Sequence, residues 1–152
     1  MKKILFIYNF LFVAGFSYAQ TTGLSTGENY IYTKNCLNED CTKKTEAVQY
    51  SDGLGRAKQV IAIKGSPSGK DIVTPTEYDA FGRVVKSYLP IPQSGTQNGA
   101  VYTNPKSNAS QTYGTDLYFY SYTQLENSPS PKVLSTTKPG TAFQGHSKSY
   151  GY

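Results

Sequence analysis

The pattern Asp-x-x-Gly-Arg is written twice in this chain, as DGLGR at Asp52/Gly55/Arg56 and as DAFGR at Asp79/Gly82/Arg83, 27 positions apart. Each defined position of the pattern has a backbone duty. An aspartate at the first position of a type I turn accepts a hydrogen bond from the N–H two residues on. A glycine at the fourth position takes the left-handed conformation that lets the second strand return in register. The arginine then opens the return strand, where it can pair with the aspartate or lay its stem over a ring. Strand-like runs flank both copies, so each predicts a β-hairpin. Tyr78 directly precedes Asp79, whereas Ser51 separates Tyr50 from Asp52. Side chains alternate along a strand, so Tyr50 and Tyr78 are expected on opposite faces unless a bulge absorbs the offset.

The turn reading leaves little for catalysis. Asp52, Arg56, Asp79 and Arg83 would have to converge on one substrate to act as acid and base, yet each aspartate stands where turn chemistry alone puts it. His146, the single histidine, has only Ser147 and Ser149 as nearby hydroxyls and no carboxylate close in sequence. It reads as an exposed strand or loop residue. No catalytic residue, metal site or cofactor is assigned, and the chain is read as non-enzymatic. Cys36 and Cys41 are the only cysteines. Their spacing is not the redox Cys-x-x-Cys, and a metal would need about four ligands. A disulfide closing a short loop between strands at Tyr30–Lys34 and Glu46–Tyr50 is expected instead.

An oxidising compartment supports that pairing. Lys2 and Lys3 precede an apolar run from Ile4 to Phe16, and Ser17-Tyr18-Ala19 sets small residues before Gln20. This is the layout of a secretory signal peptide over residues 1–19. The run is too short for the roughly 20 residues of a membrane-spanning helix, so no membrane span is expected after cleavage. Export to the periplasm, the cell surface or the medium follows. The formal charge of +5 falls to +3 without Lys2 and Lys3, and only Lys43 and Lys44 are adjacent thereafter. Nucleic acid is not an expected partner, since its binders cluster cations along one face.

Fourteen tyrosines among many Thr, Ser, Asn and Gly residues, with no apolar stripe at helical spacing, give an all-β fold class. Residues 20–29 read as a loose polar lead-in. Residues 30–92 read as a β domain of antiparallel hairpins with the runs YIYTK, EAVQY, AKQVIAIK, DIVTPTEY and RVVKSYL. Pro90-Ile91-Pro92 is expected to end it, because proline cannot donate to a ladder. Residues 93–115 read as a polar loop, long enough to require either a surface excursion or a neighbouring element. Residues 116–152 contain one further strand, DLYFYSYTQ at Asp116–Gln124, with Leu117 and Phe119 on one face and Tyr118, Tyr120 and Tyr122 on the other. The last residues, GHSKSYGY, are expected to be a cut end.

Tyr78-Asp79-Ala80-Phe81-Gly82-Arg83 resembles the core of a YD repeat, the unit of Rhs and teneurin-like proteins. The wider stretch Gln49–Ala100, with its DGLGR and YDxxGR copies followed by YLPIPQ, is similar to the amino-terminal domain of unknown function in Rhs-like proteins of Bacteroidetes-type bacteria. LENSP at Leu125–Pro129 and the Gly-His near the end also fit. The resemblance implies YD-type hairpins that form part of a larger β-sheet shell, often around a carboxy-terminal toxin domain. It also implies an association with carbohydrate. Two copies cannot close a shell, because repeat units bury their faces only against neighbours. The expected role is therefore an exported segment whose partners are the remainder of an Rhs-type shell or a toxin domain. The alternative is a stand-alone extracellular module that stacks surface glycan on Tyr118, Tyr120 and Tyr122.

Overall fold

A computed structural model describes residues 23–128 and 130–151; the signal peptide expected over residues 1–19 lies outside the described residues. The strands are β1 (Asn29–Cys36), β2 (Lys44–Ser51), β3 (Ala57–Ile63), β4 (Ile72–Tyr78), β5 (Val84–Tyr88), β6 (Ile91–Pro92), β7 (Tyr120–Leu125), β8 (Val133–Thr137) and β9 (Lys148–Ser149). They form one antiparallel sheet in the order β1-β2-β3-β4-β5-β7-β8-β9, with β6 paired to β4 beside this path. The chain is all-β, as its β-branched and aromatic runs predict. Apart from β6, each new strand is laid down on the same side of the previous one, so the sheet grows in chain order.

One face of the sheet carries the core. Val48 and Tyr50 on β2, Ile61 on β3, Val73 on β4 and Ile91 on β6 are fully buried. Each such side chain contributes about 1.5–3 kcal/mol relative to exposure. The cover comes from two segments that the sequence presents as polar. Leu24 from the lead-in, with Val101 and Tyr102 from residues 93–115, packs against the core. Residues 23–29 of the lead-in are held at Ser25: its N–H donates to the Tyr50 hydroxyl at 2.9 Å, and its Oγ accepts from the Val101 N–H at 3.0 Å.

Residues 93–115 fold back over the sheet, through a 3-10 turn at Pro105–Asn108 and a short helix, α1 (Ser110–Tyr113). Polar side chains fasten them. Gln59, almost fully buried, donates to the Tyr102 carbonyl at 3.1 Å and accepts from the Tyr102 N–H at 3.2 Å. Gln93 donates to the carbonyls of Ile91 and Pro105 and accepts from Asn108 at 2.7 Å. A Gln- and Asn-rich segment can thus cover a core, because each buried amide finds partners. Among the described residues, no buried side-chain nitrogen or oxygen lacks one.

Two strand expectations are corrected. Pro90-Ile91-Pro92 does not end the sheet: Ile91 and Pro92 pair with Val73 and Ile72. Proline is tolerated here because β6 is a two-residue strand lying off the main path. The run Asp116–Gln124 is strand only from Tyr120, and extends to Leu125. Asp116 starts a turn instead, its Oδ1 accepting from the Tyr118 N–H at 2.8 Å. Leu117, 76 % exposed, thus joins no face with Phe119. At the far end of the first hairpin, Cys36 and Cys41 are joined by a disulfide, Cα to Cα 4.7 Å.

Candidate functional site

The two Asp-x-x-Gly-Arg copies fold into the same object. In the first, the Asp52 N–H donates to the Arg56 carbonyl at 2.8 Å and the Gly55 N–H to the Asp52 carbonyl at 3.0 Å. In the second, Asp79 to Arg83 and Gly82 to Asp79 are both 2.9 Å. Gly55 and Gly82 have φ of +77° and +76°, the left-handed position that closes a three-residue hairpin loop. The aspartate divides its two oxygens between duties. Oδ1 accepts from the backbone, from Leu54 and Arg56 at 2.9 Å each in the first copy, and from Phe81 and Arg83 at 2.9 and 2.8 Å in the second. Oδ2 takes the guanidinium, with Nε at 2.8 Å in both copies and Nη2 at 2.7 and 2.8 Å. The backbone N–H of Arg56 above all, with that residue's side chain and the Leu54 N–H, holds Asp52 below the ordinary aspartate range; Arg83 and Phe81 do the same for Asp79. A carboxylate so saturated is a weak base and suits anchoring rather than proton transfer.

The tyrosine offset is real and unabsorbed. Both hairpins carry a bulge at the same place, on the return strand, so Ser51 pairs with Ala57 as Tyr78 pairs with Val84. Ser51 is thus the counterpart of Tyr78, and Tyr50 of Glu77. Tyr50 points into the core, where its hydroxyl donates to the Gly99 carbonyl at 2.8 Å. Tyr78 lies on the other face and donates to the Ala57 carbonyl at 2.9 Å.

That placement links the copies. The Arg56 guanidinium sits 4.6 Å above the Tyr78 ring, so the arginine of the first turn caps the tyrosine of the second. Arg83 in turn donates from Nη1 to the Glu126 carbonyl at 3.0 Å, reaching the loop between β7 and β8. Three hairpin loops therefore line one rim of the sheet, each arginine touching the next loop. Phe81, 69 % exposed, Arg83, Asn127, Ser128 and Pro131 line a cleft of about 470 Å³ between the second and third loops.

A β-branched residue should expose this linkage. Gly55→Val is expected to cost about 1–2 kcal/mol from left-handed strain alone, because among the described residues only its own chain neighbours lie within 4 Å of an added Cβ. At Gly82 an added Cβ would meet Arg56 Nη1 at 2.8 Å. Gly82→Val should therefore cost more, by the roughly 0.5–1 kcal/mol of a displaced cation–π contact. Denaturant melts of both variants check the order, and equal costs would deny the linkage.

The tyrosine row is not a free platform. Tyr118 precedes β7. Tyr120 is wedged among Tyr88 at 5.3 Å, Tyr118 at 6.2 Å and Phe119 at 6.4 Å, with Lys86 Nζ 4.8 Å above its ring. Only Tyr122, at 41 %, is among the exposed large hydrophobics. His146 lies in an exposed turn, its N–H donating to the Phe143 carbonyl. No group of three or more potential metal ligands occurs among the described residues.

The residue that sequence reading passed over is Asp71. Fully buried, it accepts from the Lys64 N–H at 2.8 Å, Thr96 Oγ1 at 2.7 Å, the Gln97 N–H at 2.9 Å and the Tyr102 hydroxyl at 2.9 Å. Burial opposes its ionisation, but the hydrogen bonds together outweigh it and hold the carboxyl below the ordinary range, while burial and Asp71 push the Tyr102 hydroxyl up to about 12. Glu77 is likewise held low: burial opposes, while Lys106 and the Tyr88 hydroxyl prevail. These two carboxylates tie residues 93–115 to the sheet.

A protein-family model described as a domain of unknown function, DUF6443, matches residues 25–152. Comparison with curated proteins and with solved structures finds no match.

Proposed function

The chain belongs to the DUF6443 family, a domain of unknown function, and from that premise we propose that it is an exported, non-enzymatic segment that adds strands to a larger β-shell of the Rhs and YD-repeat kind. The shell would be a toxin-enclosing or cell-surface structure, and the partners are its remaining strands or the enclosed domain. One observation carries this reading: the sheet grows in chain order, and each YD-like turn passes its arginine to the loop that follows. A further hairpin added beside β9 would extend the same rim by the same rule. The two turns supply register and spacing, and their saturated aspartates leave no reactive group idle.

A second reading, capture of surface glycan, rests on the exposed ring of Tyr122. Retention on polysaccharide beads that is unchanged by Tyr118→Ala, Tyr120→Ala and Tyr122→Ala would remove it. The shell reading is tested by native size. An antibody against residues 20–152, used on cell, periplasmic and medium fractions, should detect a band several-fold larger than this chain. A band at the size of the mature chain alone would overturn the shell reading.

A further inference from the structure

The sheet has two edges, and they differ. β9 is two residues long, whereas β1 runs eight residues without a bulge or a proline. The Leu37 N–H donates to the Lys43 carbonyl at 2.7 Å, which sets the phase of the β1–β2 ladder. In an antiparallel pair hydrogen-bonded and non-hydrogen-bonded positions alternate, so Ile31 and Thr33 bond inward to β2. Tyr30, Tyr32 and Lys34 turn their N–H and C=O groups to the outer edge, where no described strand pairs with them. Natural sheets blunt such an edge with charges, proline or a bulge; β1 carries only Lys34, and Ile31 stands 64 % exposed on the uncovered face.

The strand is complementary to itself in one register. A two-fold antiparallel partner centred on Ile31 sets Tyr30 opposite Tyr32, at positions whose backbone groups face outward, and brings the side chain of Glu28, whose own N–H donates to the Ser25 carbonyl at 3.2 Å just before the strand, opposite that of Lys34. Ile31 meets Ile31 at the non-hydrogen-bonded site, where the Cα atoms approach to about 4.5 Å. Aromatic and opposite-charge pairs across strands each contribute. Centring on Tyr32 instead puts Tyr30 against Lys34 and Glu28 against Cys36, and centring on Lys34 sets two cations face to face. Glu28 already holds Lys58 at 2.8 Å, so the partner's lysine would add to an existing cluster. Lys34 stands opposite Glu46 on β2, whose carboxyl the Tyr32 hydroxyl and Lys44 hold low with Lys34 adding to them, and it has no contact-distance ion pair among the described residues.

We propose that the outer edge of β1 is a strand-addition site occupied by a second copy of this chain, antiparallel, with Ile31 on the two-fold axis. The contact is isologous and joins two sheets into one. It uses the edge opposite to β9 and stands apart from the shell reading.

Cysteine substitution of the full chain tests the register, because Cys36 and Cys41 are already paired. Asn29→Cys, Ile31→Cys and Thr33→Cys variants with unchanged melting curves would be oxidised and run on non-reducing gels. Cross-strand disulfides need Cα atoms about 4.4–6.8 Å apart, so Ile31→Cys should yield covalent dimer several-fold faster than its neighbours. Lys34→Glu, added to Ile31→Cys, should slow it by setting two carboxylates against each other. Light scattering of the unmodified chain should show mass rising with concentration. Equal dimer yields at all three positions, a maximum away from residue 31, or a monomer at every concentration would overturn the proposal.

Discussion

Asp71→Ala is expected to lower the unfolding free energy by about 3–5 kcal/mol, because it strands four donors whose unpaired burial costs about 1–3 kcal/mol each before water recovers part of it. The donors belong to Lys64, Thr96, Gln97 and Tyr102. Three of them come from residues 93–115, so the substitution frees the cover as well as the carboxylate. Asp71→Asn should fall between, since its amide nitrogen brings two donors to a position where all four partners donate to the carboxylate. The same group sets an acid limb. Its folded-state pKa lies below that of the unfolded chain, so its contribution is complete above the unfolded value of about 3.9. It is lost as pH falls through the folded value. Urea midpoints measured from pH 6 downward should decline for the unmodified chain, and less steeply for Asp71→Ala. Parallel declines would deny Asp71 this role.

The second large effect is expected at Tyr50. Tyr50→Ala removes a fully buried ring from the centre of the core and should cost about 3–5 kcal/mol, as large aromatic truncations do. Tyr50→Phe keeps the ring but leaves the Gly99 carbonyl without its donor and the Ser25 N–H without its acceptor. A cost of about 1–3 kcal/mol follows. The hydroxyl thus holds both covering segments at once. Hydrogen exchange should show the Ser25 and Val101 amides losing protection in Tyr50→Phe while those of β3 keep theirs. Uniform loss across the sheet would mean that the cover and the sheet unfold as one unit.

How much of this was legible depends on how local the physics is. The turns were readable because aspartate, glycine and arginine within five residues specify every hydrogen bond that closes them. The opposite orientations of Tyr50 and Tyr78 followed from the period of a strand, and the structure keeps that offset because both bulges sit on the return strands. The cover was not readable. Gln59 meets Tyr102 across 43 residues and Asp71 meets Thr96 across 25, and no pattern in a polar segment announces such partners. Tyr118 was misplaced because Asp116 makes a turn of what alternation presents as strand. The arginine links between loops were equally hidden, since they depend on which hairpins become neighbours.

The repeated phrase is one turn built twice, with its charges spent on the fold. Denaturant midpoints of Asp52→Ala, Asp79→Ala and the double variant are the test. Each single change should lower the midpoint, and the double variant should lie lowest. Groups held for chemistry behave differently, since their removal is commonly neutral or stabilising. A midpoint that holds or rises in either single variant would mean that the aspartate is not spent on closing its turn.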